Sequence, residues 1–355
     1  MEWFKYVILP FVITVLATPL VMWIAKYIDA YAKINARTIH TRTNIARIGG
    51  VAIYVGFMIS MTCFMKSDLQ IRALILGSSV MFFGGLIDDL VNLSAKKKLL
   101  FQIVASLIIM FYGKTILGKI FLPFDIVIDM GLVSYLVTLF WLIGVTNAVN
   151  LIDGLDGLAS GICLIILVVI ASMSVIDNRP DIMQISIILV GSLAAFLIFN
   201  FNPAKVFLGD CGALFLGFII ASLSLMGFKS GTFITLGLPI LMCGVPIVDT
   251  LSAIVRRTLS GKRIDEADKN HLHHVLMRKF GHKNTVLILY AVTICSGIVS
   301  YVYILSRPIG LILLCVELIV CELFLERTQM IAPWFHPVSS LVSFFRQYGN
   351  KSKQK

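Results

Sequence analysis

Charge is scarce in this 355-residue chain: only 14% of its residues are Asp, Glu, Lys or Arg, where ordinary soluble domains carry about 25%. With 58% apolar residues and a mean hydropathy of +0.94, that scarcity excludes a water-soluble globule and an intrinsically disordered chain. Short alternating segments are missing too, which excludes a transmembrane barrel. CxxC pairs are absent. The seven cysteines (Cys63, Cys163, Cys211, Cys243, Cys295, Cys315 and Cys321) fall mostly inside apolar runs, where small core residues are expected rather than ligands or disulfides. No small-residue cleavage site follows the first apolar run, so it reads as a retained helix.

What is present is a series of long apolar runs between short polar clusters, the pattern of an all-α polytopic membrane protein. Eleven spans are predicted: 4–25, 48–65, 71–87, 99–112, 131–149, 158–176, 183–201, 212–228, 232–255, 286–305 and 308–325. The stretch 120–130, broken by Pro123, reads as a hairpin or re-entrant piece. Residues 1–325 form the membrane domain, and 326–355 an amphipathic, basic tail. Alternate polar segments, beginning with 26–47, hold 22 of the 30 basic residues. The positive-inside rule then puts the N-terminus outside and the C-terminus in the cytoplasm. A net charge of +11 concentrated on one membrane face suits anionic lipid or a phosphorylated substrate, although such charge also arises from topology alone.

The unusual residues gather on that face. Asp88-Asp89 follows Gly84-Gly85 and precedes Lys96-Lys97-Lys98. Adjacent carboxylates repel, so a cation or Mg²⁺ is the usual means of keeping both ionised, a solvated loop being the plainer reading. In Asn150-Leu-Ile-Asp153-Gly-Leu-Asp156-Gly157, the two Asp-Gly steps allow tight turns and close approach to a ligand, or Asx turns and a helix cap. Phe207-Leu-Gly-Asp210-Cys-Gly212 opens a span with an acid between glycines, which fits a phosphate with bridging Mg²⁺, or simple capping. His271-Leu-His273-His274 lies among Arg256, Arg257, Lys262, Arg263, Lys269, Arg278 and Lys279, surroundings that suit a pyrophosphate better than zinc. Asn35, Arg37 and His40 share the face. Together these residues suggest a site for Mg²⁺ and a nucleotide diphosphate, with a lipid entering from the bilayer.

In order and spacing, Asp88-Asp89, Asn150-x-x-Asp153-Gly-x-Asp156-Gly157, Phe207-x-Gly-Asp210-x-Gly212 and Asp268-Lys-Asn-His271-x-His273-His274 resemble the polyprenyl-phosphate N-acetylhexosamine-1-phosphate transferases. This is the superfamily of WecA, TagO and MraY, and the resemblance runs along about residues 1–325. It implies transfer of a sugar 1-phosphate from a UDP-sugar to undecaprenyl phosphate with release of UMP. It also implies Mg²⁺, with Mn²⁺ as a substitute, a cytoplasmic site in the bacterial cell membrane, and a possible homodimer. Nucleic acid is not an expected partner.

Carried over by motif, the catalytic set is Asp88, Asp89, Asp153, Asp156 and Asp210, of which Asp88, Asp89 and Asp210 would hold the metal. Asp88 is favoured for deprotonating the lipid phosphate or acting as nucleophile. The implied substrate contacts are Asn35, Arg37, His40, Lys96 on phosphate, Asn150, Asn200, Phe207 on uracil, Arg256, Arg257, His271, His273 and His274. The histidine pattern is that of the WecA and TagO branch and makes UDP-GlcNAc the first choice of donor. Ala32, Ile34, Thr38 and Ala46 stand where that branch has Asp, Pro, Lys and Pro, which keeps a deoxy or otherwise modified N-acetylhexosamine in view. The rival enzyme is an MraY-like phospho-MurNAc-pentapeptide transferase. The rival outside enzymes is a transporter, whose polar residues belong at mid-span rather than at span ends.

Overall fold

The computed structural model describes residues 4–31, 45–66, 68–121, 127–227, 257–258 and 272–328. Its helices are α1 (Phe4–Tyr27), α2 (Gly50–Phe64), α3 (Leu69–Val91), α4 (Ala95–Leu107), α5 (Val133–Ile152), α6 (Leu158–Ile176), α7 (Pro180–Asn200), α8 (Gly209–Gly227), α9 (Leu272–Phe280), α10 (His282–Leu305) and α11 (Arg307–Thr328). The fold is an all-α polytopic membrane protein. Large apolar side chains such as Leu16, Trp23, Phe140 and Ile198 face outward, as a hydrocarbon solvent permits and water would not.

The expectation of eleven spans is matched in part among the described residues. Seven helices are long and apolar enough to cross: α1, α3, α5, α6, α7, α8 and α10. Helix α2 has 15 residues, a rise of about 22 Å against a hydrocarbon core of about 30 Å. The expected span 99–112 divides into the 13-residue α4 and a π turn, Ile108–Tyr112. Helix α11 overlies the expected span 308–325, whereas 232–255 and most of the tail, 329–355, lie outside the described residues. The stretch around Pro123 is flanked by a hairpin, β1 (Lys119–Phe121) against β2 (Val127–Asp129), antiparallel with Ile120 opposite Ile128.

Apolar helices bring their own polar groups into the membrane, and here hydroxyls return to the preceding turn. Thr18, Ser60, Thr146, Ser174, Ser186 and Ser222 each donate to the carbonyl four residues earlier. No hydroxyl among these six is left to hydrocarbon. Helix α8 is the most buried of the seven spans and α1 the least, which makes α8 the axis of the bundle. Around it, Tyr54 of α2 stacks on Phe82 of α3 at 3.8 Å between centroids, and Phe215 of α8 meets Tyr54 edge-on at 5.5 Å.

Helices α3 and α8 approach to backbone contact at one end of the bundle. A Cβ at Gly85 would lie 2.6 Å from Cys211 Cα, so only glycine allows the two chains this close. Gly85→Val should therefore displace α8, at about 1–3 kcal/mol for overpacking or more. A fall of several degrees in the unfolding midpoint in detergent checks this. Gly144→Ala, where a Cβ meets nothing within 4 Å, should not lower the midpoint, since alanine suits a helix interior better than glycine.

Candidate active site

The close approach at Gly85 sets two carboxylates of α3 against the start of α8. Gly209 takes φ +75° there, a left-handed conformation that admits glycine readily and turns the chain into the helix. The segment before α2 is stitched alongside. Phe207 N donates to Ala46 O at 2.8 Å, Gly49 N to Phe207 O at 3.0 Å and Gly50 N to Leu208 O at 2.8 Å. Three separate stretches of chain thus converge before any side chain is considered.

Asp210 stands at the centre. Its Oδ1 accepts from Asn150 Nδ2 at 2.6 Å, and its Oδ2 lies 3.2 Å from Lys98 Nζ. The same ammonium pairs with Asp88 Oδ2, while Asp88 Oδ1 accepts from Leu93 N at 2.6 Å. Lys98 lies just ahead of the apolar run of α4. Burial pulls its pKa down, but Asp210 and Asp88 outweigh that, and the net shift is upward. Asp89 turns the other way, toward Arg47 and the first amides of α8: Arg47 Nε at 3.2 Å, Asp210 N at 3.0 Å and Cys211 N at 2.9 Å.

The lysine in the cluster is Lys98, whereas Lys96, expected on phosphate, is exposed on the far side of α4. Residues two apart on a helix point about 200° apart, so only one of them can face Asp210. Asn150 and Asp210 sit together as the motifs suggested. Asp153, in the loop after α5, has its carboxyl held well above the usual range, chiefly by burial and then by Asp210, Asp89 and Asp156. Asp156 is used structurally: its Oδ2 accepts from Asn202 Nδ2 at 2.9 Å and Ala204 N at 3.0 Å. Its own N–H donates to His282 Nε2 at 3.1 Å, which ties the loop to α10.

Asn200 is committed as well, donating to Val206 O at 2.9 Å and accepting from Ser160 at 2.6 Å. Phe207 is half-buried beside the site, and so, elsewhere in the chain, is Arg257. Asn35, Arg37, His40, Arg256 and His271 lie outside the described residues; of His273 and His274 only the backbone, in α9, is described. Two participants escaped the sequence reading, Arg47 and Lys98. Arg47 stood two residues before Gly49-Gly50, in a segment where Asn35, Arg37 and His40 were singled out and Arg47 itself was counted only for its topological charge.

Among the described residues no group of three or more His, Cys, Asp or Glu side chains is arranged to hold a metal ion. Asp88 and Asp210 nevertheless converge on one cation, the Lys98 ammonium. Two hard oxygen donors converging on one cation fit Mg²⁺, which takes one or two carboxylates and completes its shell with water and substrate phosphates. Zinc, with its nitrogen and sulfur ligands, does not fit this donor set.

A many-pass helical membrane protein with carboxylates, a lysine and an amide gathered at one end of the bundle is the class that fold and site define. Comparison with known proteins makes it specific. Residues 71–228 match the model of glycosyl transferase family 4. The chain is 35% identical over 348 residues to a probable undecaprenyl-phosphate N-acetylglucosaminyl 1-phosphate transferase of Bacillus subtilis, covering 93% of this chain and 94% of that one. It is 32% identical over 326 residues to a decaprenyl-phosphate N-acetylglucosaminephosphotransferase of Mycobacterium tuberculosis, covering 82% and 79%. A phospho-N-acetylmuramoyl-pentapeptide-transferase of Listeria monocytogenes is 28% identical over 314 residues, covering 82% and 94%. The chain belongs to this family of polyprenyl-phosphate sugar-1-phosphate transferases.

Two outcomes follow from the geometry. Lys98→Met should cut turnover by about 100-fold or more, as loss of a preorganised charge at a phosphate does, while Lys96→Ala retains wild-type rates in the same assay. For Asp153, a raised folded pKa means the folded state binds the proton more tightly than the unfolded chain. Stability therefore falls as pH rises from about 4, the unfolded value, through the raised folded value. In EDTA, Asp153→Asn should unfold at a higher temperature than wild type at pH 7.5, and the gap should close toward pH 4.

Proposed function

We propose that the chain transfers N-acetylhexosamine 1-phosphate, with GlcNAc 1-phosphate as first choice, from a UDP-sugar to undecaprenyl phosphate. The products are undecaprenyl-pyrophosphoryl-sugar and UMP, in the first membrane step of a cell-surface polysaccharide. The observation that carries the reading is the convergence of Asp88, Lys98, Asn150 and Asp210 at one end of the bundle. The relatives spanning nearly the whole chain support it by name.

The chemistry is displacement at the sugar-bearing phosphorus of the donor. An oxygen of the lipid phosphate forms the new P–O bond, and the bond to the bridging oxygen breaks, so that UMP leaves. Asp88 takes the proton of a monoprotonated lipid phosphate. Lys98, shared between Asp88 and Asp210, offsets the negative charge that two phosphates bring together. Asn150 holds the Asp210 carboxylate in one orientation. Mg²⁺, held by Asp210 and Asp88 when bound, would neutralise the pyrophosphate of the donor. Asp153, in the loop after α5, is assigned to the nucleotide side of the site.

The basic residues concentrated on one face support a cytoplasmic site in a bacterial cell membrane, where UDP-sugars are available. The Listeria relative favours a second donor, UDP-MurNAc-pentapeptide. The test is UMP release by the purified protein in detergent with undecaprenyl phosphate, Mg²⁺ and a panel of UDP-sugars. Lipid- and Mg²⁺-dependent UMP from UDP-GlcNAc is the expected result. Turnover with UDP-MurNAc-pentapeptide alone would select the second donor, and no UMP from any donor beside a working control enzyme would overturn the reading.

A further inference from the structure

The two adjacent aspartates do not share one environment. Asp88 faces Lys98 and, through it, Asp210. Asp89 is fully buried at its side chain, and the donors around it approach from the protein side. Its Oδ1 accepts from Asp210 N at 3.0 Å and from Arg47, whose Nε lies at 3.2 Å and Nη2 at 3.1 Å. Its Oδ2 accepts from Cys211 N at 2.9 Å. The first amides of a helix have no carbonyl partner within it and carry the positive end of the helix dipole. A carboxylate from another helix is here the partner of two of them. Releasing Asp89 to a metal would orphan buried amides and uncover the Arg47 guanidinium.

Arg47 is itself held in place. Its N–H donates to Ala30 O at 3.1 Å, the flanking Ala46 bridges to Val206, and its Nη1 reaches Asn92 Oδ1 at 3.4 Å, just past the end of α3. Its Nη2 is also 3.9 Å from Asp210 Oδ2. Arg47 and Asp89 thus lock the segment before α2, the end of α3 and the start of α8, and the locked amide of Asp210 belongs to the residue at the centre of the site.

We infer that Asp89, clamped by Arg47, is a positioning residue that fixes Asp210 through the backbone of α8, and that the metal-binding and proton-accepting roles fall to Asp210 and Asp88. This deepens the proposed reaction and rests on it. The division predicts that Asp89 and Arg47 act as one unit, coupled to turnover and separate from metal affinity.

The experiment uses the full chain in detergent, with Mn²⁺ alone as the metal probe followed by electron paramagnetic resonance, alongside kcat and KM for UMP release and the thermal midpoint. Asp89→Asn and Arg47→Ala should each keep Mn²⁺ affinity within about threefold of wild type and lower kcat by about 100-fold with KM little changed; Asp210→Asn should weaken Mn²⁺ more than tenfold. Arg47→Lys should recover part of the loss, since it keeps the charge but not the two-pronged contact. The double variant should be no slower than Asp89→Asn alone.

If Asp89→Asn does not fold, Arg47→Ala and Arg47→Lys give the same readings. Loss of Mn²⁺ binding in Asp89→Asn or Arg47→Ala, as in Asp210→Asn, would overturn the inference. So would losses that multiply in the double variant. Should wild type release no UMP from any donor, the proposed reaction fails, while the Mn²⁺ affinities and the coupling in thermal midpoints still decide the role of Asp89.

Discussion

The backbone contact between α3 and α8 is the constraint on which the site depends. Two helices can touch at Gly85 only because no side chain intervenes. Once they touch, the Asp89 carboxylate near the end of α3 meets the amides starting α8. A membrane interior offers no water to either party, so an ionised acid and an unpaired helix start are each costly alone and complementary together. The same contact places Asp88 and Asp210 near enough to share the ammonium of Lys98.

The surrounding helices hold that junction rigid. Gln102 of α4 and Asn147 of α5 exchange amide hydrogen bonds at 2.8 and 3.0 Å. Gln102 is one turn after Lys98 and Asn147 is three residues before Asn150, so Lys98 and Asn150, both of which reach Asp210, project from a braced pair of helices. On the other flank, Asp156 gathers the turn at 202–204, and Tyr290 of α10 donates to Gly157 O. The loop 150–157 thereby has one end in the site and the other in the scaffold. Polar networks of this kind are well suited to a reaction that needs fixed charges, because every member is already paired before substrate arrives.

Much of this was legible beforehand for reasons that are local. Long apolar runs dictate helices in a bilayer, and Asp88-Asp89, Asn150 and Asp210 stand out because carboxylates and amides are expensive where they occur. Length was harder to read. Hydropathy alone draws a span at 99–112, but the π turn that ends α4 depends on how the chain meets its neighbours. Lys96 and Lys98 are equivalent by composition, and the choice between them is made by helical phase, which is set where Asn92 leaves α3 in a left-handed conformation at φ 52°. Arg47 looked like one more topological charge, since nothing in its neighbourhood names its partner 42 residues later.

By itself the sequence determined the class of solvent, the helical architecture and the set of residue types that chemistry requires, because hydropathy and motif spacing are properties of short stretches. The tertiary structure decided the partners within that set. It gave Asp88 and Asp89, neighbours in the chain, different partners, and it paired Asp156 and Asn200 with groups of the surrounding loops. Successive residues on a helix point about 100° apart, so adjacent carboxylates must face different partners, and which partners those are is fixed only when α3, α4, α5 and α8 pack together.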